Sequence, residues 1–265
     1  MEAINRFFIE DGNLDSTKNF CDEKNSNDKI IYEVMRIIDG KPLFLDAHIK
    51  RMEKSFELMG KRFSYEYNKI DEYVEKVICS NGKKDGNIKI TFNIDKDEMK
   101  VFYIKHSYPS DEMYKDGVKT ILYHGERKNP NAKVIDVEFR GKVTEEIKKS
   151  GAFEAILVDA NGNITEGSKS NIFLIKENIL LTSKVEAVLP GVTRGEIIQI
   201  AKRAGIEFEE RDIKYTEIKD MDSMFISGTS PGILPISKVD DMAMDVNNEI
   251  MRKLMGLYNG IVEEK

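Results

Sequence analysis

Leu189-Pro190-Gly191-Val192-Thr193-Arg194 delivers a glycine turn into a helix start, because Ile197, Ile198, Ala201 and Ala204 then recur at helical spacing until Gly205. Free N–H groups and the positive end of the helix dipole make the Val192–Thr193 start an anion site, and phosphate is the commonest anion found there. Thr193-Arg194-Gly195-Glu196 also reads as a capping box, so one hydroxyl has two competing uses. A second small-residue turn, Gly228-Thr229-Ser230-Pro231-Gly232, can expose N–H groups in the same way. The other candidates are single groups. Glu166, beside Gly167, reads equally as a functional carboxylate or an exposed strand-end acid, and Lys133 is one lysine among many. Tyr32 and Arg36 share one face of a strand, while His48, Arg51 and Ser55 share a helix stripe on which an arginine is ordinarily solvated. Singly, none of these names an activity.

The elements that must position them follow from the periodicity. Lys29–Ile38 alternates as a strand, Asp39-Gly40 turns, and Asp46 is expected to cap a helix with Ile49, Met52, Phe56 and Met59 inward, ending at Gly60. A second helix is expected over Ile70–Ser80, then a hairpin of Asn87–Phe92 and Met99–Lys105. Ala3–Ile9 reads as a strand and 11–28 as loop. Ser107–Gly117 is polar and carries Pro109, which marks a linker. Beyond it come a strand at Val118–Tyr123, an irregular Asn129–Lys133, and a weak helix over Val134–Ser150. Ala152–Leu181 reads as a β-meander. Further on, the pattern gives strands at Ile206–Ile213 and Met224–Ser227, a short helix near Thr216–Met221, and a terminal helix using Ile250, Met251, Leu254 and Leu257.

A length of 265 residues leaves one or two domains open. A net charge of -6 supplies no basic field for nucleic acid, and no run approaches membrane-spanning length. Two cysteines, Cys21 and Cys79, without metal-ligand spacing, indicate neither a disulfide framework nor a metal site. The N-terminal residues carry acids and no long apolar core, so no signal peptide is expected and a cytoplasmic location fits.

Taken together, the motifs point to one family. Tyr32-Glu33-Val34-Met35-Arg36 with His48-Ile49-Lys50-Arg51-Met52, Asn129-Pro130-Asn131-Ala132-Lys133, Thr165-Glu166-Gly167-Ser168-Lys169-Ser170-Asn171-Ile172-Phe173, Leu189–Arg194 and Phe225-Ile226-Ser227-Gly228-Thr229 occur in that order. The chain resembles the class IV aminotransferases, the fold-type IV pyridoxal-phosphate enzymes that include branched-chain and D-amino-acid aminotransferases and aminodeoxychorismate lyase. The resemblance implies an α+β, two-domain fold: a small α/β-sandwich domain over 1–110, a linker over 111–117, and a larger β-rich domain with flanking helices over 118–265. That larger domain would carry the lysine, with the site in a cleft. A homodimer acting on small-molecule amino and 2-keto acids is implied.

By the same resemblance Lys133 would be the Schiff-base lysine and proton carrier, and Glu166 would keep the pyridine nitrogen protonated. Arg51, Val192, Thr193, Thr229 and Ser230 would hold the phosphate, with His48 supporting Arg51. Tyr32 would line the substrate side. The chain departs from the family at Asp136, where an Asn is usual, and at Glu138, where branched-chain enzymes place a Tyr touching the cofactor oxygen. The strand that supplies a carboxylate-binding arginine in branched-chain enzymes offers Lys89, and Phe92 replaces the arginine of D-amino-acid enzymes. Arg36 or Arg127 could substitute. The expected function is amino transfer between a branched-chain-like or D-amino acid and a 2-keto acid. Aminodeoxychorismate lyase and an inactive pyridoxal-phosphate binder are the alternatives.

Overall fold

A computed structural model describes residues 2–22 and 28–264, and they fall into two compact units. The first comprises 2–107 with Ala132–Ile135, the second Tyr108–Asn131 with Asp136–Glu264. No helix among the described residues is long and apolar enough to cross a membrane.

In the first unit the strands are β1 (Phe7–Glu10), β2 (Asn13–Ser16), β3 (Ile30–Ile38), β4 (Lys41–Pro42), β5 (Gly86–Asn93) and β6 (Glu98–Ile104). They form an antiparallel sheet in the order β2-β1-β6-β5-β3-β4. Helices α1 (Leu45–Leu58) and α2 (Tyr67–Asn81) cover one face. The inward sides of β3 (Ile31, Met35, Ile37), α1 (Ile49, Met52, Phe56) and α2 (Ile70, Val74, Val77) make one core. Two expectations change here. The stretch read as loop after Asp11 contains β2, a short polar edge strand whose residues carry no apolar alternation; 23–27 of that stretch lie outside the described residues. Asp46 does not cap α1: Phe44, in the left-handed region, holds the cap position, and Asp46 in the first turn accepts a hydrogen bond from the Tyr67 hydroxyl.

The segment carrying Lys133, expected with the larger domain, is instead the sequence-distant member of this unit. Tyr32 N donates to Lys133 O at 3.0 Å and Ile135 N to Ile30 O at 3.0 Å. β4 pairs only with Ile37 and Ile38, so the early part of that β3 edge would otherwise leave polar backbone unpaired, and 132–135 satisfies it.

The second unit contains α3 (Asp111–Asp116), β7 (Val118–His124), α4 (Val137–Ser150), β8 (Glu154–Val158), β9 (Ile164–Gly167), β10 (Asn171–Lys176) and β11 (Ile179–Thr182). After these come α5 (Val192–Arg203), β12 (Phe208–Glu210), β13 (Ser223–Gly228), β14 (Gly232–Val239), β15 (Met242–Ala243) and α6 (Glu249–Glu263). The sheet runs β12-β11-β10-β13-β14-β7-β8-β9, with β15 beside β14. β7 and β8, and β11 and β12, are parallel neighbours joined through α4 and α5, the helical crossover that parallel pairing requires. α3 lies in the stretch expected to connect the domains.

The meander is not realised as such. β8 and β9 form a hairpin, and so do β10 and β11, but β9 ends the sheet while β13 and β14 separate β10 from β7. Only Ser168–Ser170 joins β9 to β10, a span of roughly 14 Å at most. The sheet therefore curls until its end strand lies beside β10. β14, a strand missing from the sequence reading, contains Pro235, which argues against a central strand. In α6 the buried positions are Met251, Leu254 and Tyr258, while Leu257 is exposed.

Phe56 is 2% exposed, with the rings of Phe63 and Phe92 at centroid distances of 5.1 and 4.7 Å. Phe56→Ala is expected to remove about 3–5 kcal/mol of stability in urea unfolding. A loss below about 1 kcal/mol would contradict this core.

Candidate active site

In the first unit, α1 presents His48, Arg51 and Ser55 one turn apart toward β3, and all three are buried. What receives them is Glu33, on the β3 face otherwise occupied by Ile31, Met35 and Ile37. Arg51 Nε lies 2.8 Å from Glu33 Oε1 and Nη2 lies 2.6 Å from Oε2, while His48 Nδ1 is 2.7 Å from Oε2. Burial by itself would raise the Glu33 carboxyl, but the Arg51 charge and hydrogen bonds, helped by His48, hold it down at about 2. Burial also pushes the His48 imidazole below its ordinary value against the pull of Glu33. The carboxylate thus fixes the Nε–Nη2 edge of Arg51.

Ser55 ties this cluster to the lysine segment: its hydroxyl donates to Arg51 O at 2.9 Å and accepts from Lys133 N at 3.2 Å. The Lys133 amine stands 4.8 Å from the centre of the Tyr32 ring, and the Lys89 amine stands 5.2 Å from the same ring. Lys89 also pairs with Glu2 at 2.8 Å. Thr91, across the ladder from Tyr32 and on the same face as Lys89, has a buried hydroxyl without a hydrogen-bond partner. Arg36 shares that face but sits four residues further along β3, roughly 13 Å away. The structure therefore groups Lys133, Tyr32 and Lys89, and Arg36 lies on the same face diagonal to Lys89, two residues past Val34, the ladder partner of Lys89.

In the second unit, Glu166 is buried on β9. Its Oε1 lies 3.1 Å from Arg127 Nη1, and its Oε2 accepts from Leu189 N at 3.0 Å. Arg127, considered above for a substrate carboxylate, is thus placed on Glu166, and its Nη1 also donates to Pro130 O.

The capping box at Thr193 does not form. Gly191 holds the cap position of α5 without any side-chain cap, and Thr193 is the second helical residue. The physical reason is space: a Cβ on Gly191 would lie 2.0 Å from Asn171 Oδ1, so no capping side chain fits. Asn171 Nδ2 in turn donates to Leu189 O at 2.9 Å. The first N–H groups of α5, at Val192 and Thr193, have no acceptor within the helix. Asn171 is the ladder partner of Ser227, whose buried hydroxyl lacks a partner, and Ser227 leads into the half-buried Thr229 and Ser230.

The two departures have local explanations. Asp136 Oδ1 accepts from Phe139 N at 3.0 Å, capping α4, a task Asn and Asp perform equally. Glu138 is exposed and pairs with Lys142 one turn on.

The family profile for amino-transferase class IV matches residues 30–239. The chain belongs to the class IV aminotransferases. It is 26% identical over 223 residues to the D-alanine aminotransferase of Bacillus licheniformis, covering 79% of this chain and 78% of that one. A branched-chain amino acid aminotransferase from T.th., solved with pyridoxamine 5'-phosphate, superposes with a TM-score of 0.85 at 19% identity, over 97% of this chain and 94% of that one. A Legionella pneumophila protein proposed to be a 4-amino-4-deoxychorismate lyase superposes at 0.81 with 22% identity, over 88% and 91%. These structures share the fold-type IV architecture. Class IV aminotransferases use pyridoxal phosphate, and the residues here fit that group: an uncapped helix start and an orphaned Ser227 hydroxyl suit a phosphate, and a buried carboxylate at Glu166 suits a protonated ring nitrogen.

Glu33, Asn171 and Thr91 were not singled out for a role in the sequence. Glu33 had left a trace, an acid on an otherwise apolar strand face. Since unfolded Glu33 takes up its proton near 4.5 and folded Glu33 near 2, its stabilisation is present above 4.5 and is lost as pH falls to about 2. That amounts to about 3 kcal/mol at most. His48, with a lowered value, adds a loss that begins as pH drops below 6.5. Glu33→Gln is expected to flatten the stability–pH curve between 4.5 and 2 in denaturant titrations; an unchanged slope would contradict the pairing.

Proposed function

We propose that this protein transfers the amino group of a small amino acid, of branched-chain or D type, to a 2-keto acid with bound pyridoxal 5'-phosphate. When bound, that cofactor supplies an aldehyde carbon to receive the amino group and a ring that takes up the electrons left as the α-proton departs. The observation that carries the reading is the group around Tyr32. One amine, Lys133, stands over the ring; a second cation, Lys89, stands near it; and the orphaned Thr91 hydroxyl shares the face.

In this reading Lys133 bonds the cofactor at rest and carries the α-proton during turnover. Lys89 and Thr91 take the substrate carboxylate, a weaker and less directional clamp than the arginine of other members. Glu166 keeps a proton on the ring nitrogen, with Arg127 and Leu189 N orienting its carboxylate. Arg51 offers its guanidinium to the phosphate while Glu33 and His48 hold its Nε–Nη2 edge. The N–H groups of Val192 and Thr193, the Thr193 hydroxyl, and the turn at Thr229 and Ser230 complete the anion site. The Gly228-Thr229-Ser230 turn supports transfer over the lyase reaction. A cytoplasmic homodimer belongs to the same proposal, and light scattering reads the assembly.

The test is the visible absorption of the loaded protein as L- and D-amino acids are added one at a time. Expected is a yellow band that bleaches with a defined donor class and returns with a 2-keto acid. A band indifferent to every amino acid, or pyruvate release from aminodeoxychorismate without an acceptor, would overturn it. Lys133→Ala is expected to abolish borohydride trapping of the cofactor and to lower turnover at least about a thousandfold.

A further inference from the structure

Glu154 is a buried carboxylate that no step above uses. It opens β8, and its Oε1 collects donors from three consecutive residues: Ser168 Oγ at 3.3 Å, Lys169 N at 2.6 Å and Ser170 Oγ at 3.0 Å. Burial pushes its carboxyl pKa up, and these donors oppose the rise. Those residues are the whole connection between β9 and β10. The turn also closes on itself, with Gly167 N donating to Ser170 O at 2.8 Å and Ser168 N to Ala155 O at 2.9 Å.

What flanks this turn gives the carboxylate its consequence. Glu166 lies just before it and Asn171 immediately follows. Asn171 donates to Leu189 O, Leu189 N donates to Glu166 Oε2, and the Asn171 side chain abuts Gly191 at the start of α5. Glu166, the turn, Asn171 and Leu189 therefore make a closed ring of covalent and hydrogen bonds. Gly167 shows how tightly the ring is drawn: a Cβ there would lie 2.2 Å from Ser170 Oγ and 2.7 Å from Glu154 Oε1.

We propose that Glu154 is a positioning residue that sets Glu166 and the start of α5 together, so that one acceptor oxygen governs both the ring-nitrogen end and the phosphate end of the cofactor. The inference rests on the reading that those groups bind pyridoxal phosphate. A carboxylate that merely filled a turn would affect folding stability and leave ligand binding at both ends as in wild type.

The experiment compares wild type, Glu154→Ala, Glu154→Gln and the Ser168→Ala/Ser170→Ala double variant. Four quantities are read: pyridoxal phosphate affinity, inhibition of its uptake by inorganic phosphate, the pH profile of the bound cofactor's absorption, and the thermal midpoint of the cofactor-free protein. Glu154→Ala is expected to weaken pyridoxal phosphate roughly tenfold or more, to weaken inorganic phosphate, and to shift the pH profile. Glu154→Gln keeps an acceptor oxygen and should restore all three to within about threefold of wild type. If Glu154→Ala does not fold, the double variant, which removes two of the three donors, should show a smaller loss of the same kind. Wild-type affinity at both ends in Glu154→Ala or the double variant, a change at one end alone, or a Gln variant as impaired as Ala would overturn the proposal. A wild-type protein that takes up no pyridoxal phosphate would overturn the cofactor reading and this inference together; one that does, with variants unchanged, would overturn this inference alone.

Discussion

Taking a carboxylate out of water costs several kcal/mol unless other groups replace its hydration, and this constraint organises both units. Glu33, Glu154 and Glu166 are all buried, and each is met in a different way. Glu33 takes a bidentate arginine and a histidine, Glu166 an arginine nitrogen and a backbone N–H, and Glu154 three neutral donors. The difference matters for chemistry. A carboxylate gripped at both oxygens by one guanidinium is a strut, and Glu33 acts as one for Arg51. An ionised carboxylate has about four lone-pair sites, and the role proposed for Glu166 asks that a ring nitrogen use one of them.

Much of the fold was legible because local pattern and final structure agree. β3, α1, α2, the β5–β6 hairpin and α5 all appear where alternation or helical spacing placed them, since each buries one face against a nearby element. The failures share a cause. The meander was broken by β13 and β14, which arrive well after β10 in the chain and insert beside it, and no local period encodes such pairing. β14 is absent from the sequence pattern, and its Pro235 is tolerated one residue before Ile236, the first β14 residue paired with β7. Phe44 took the cap from Asp46 by adopting a left-handed conformation that sequence rules reserve for glycine and asparagine.

The candidate site divides along the same line. Its members were legible as motifs, but their partners were not. Nothing in the composition links Glu33 to Arg51 across the turn between β3 and α1, or Asn171 to the cap of a helix that starts two elements later. Thr193 shows how a local rule fails for a steric reason. Its four-residue pattern fits a capping box, yet the helix begins at Val192, with Gly191 packed against Asn171 at the cap position and Thr193 inside the helix. The hydroxyl is thereby released from capping.

That release bears on how the site balances stability against use. A capped helix start and satisfied hydroxyls at Thr91 and Ser227 would each favour the folded chain by about 1 kcal/mol. Instead these positions carry a bare glycine cap and two buried hydroxyls without partners. They fall beside the groups that the family pattern selects: Thr91 across from Tyr32, Ser227 across from Asn171 and before Thr229. Buried polar atoms without partners also occur elsewhere, at Asn163 Oδ1 and Arg194 Nε, so it is the neighbours of Thr91 and Ser227 that single these two out. Polar groups kept unsatisfied inside a protein are costly, so the unpartnered hydroxyl across from Tyr32 in the first unit and the one across from Asn171 in the second are each suited to be completed by a ligand.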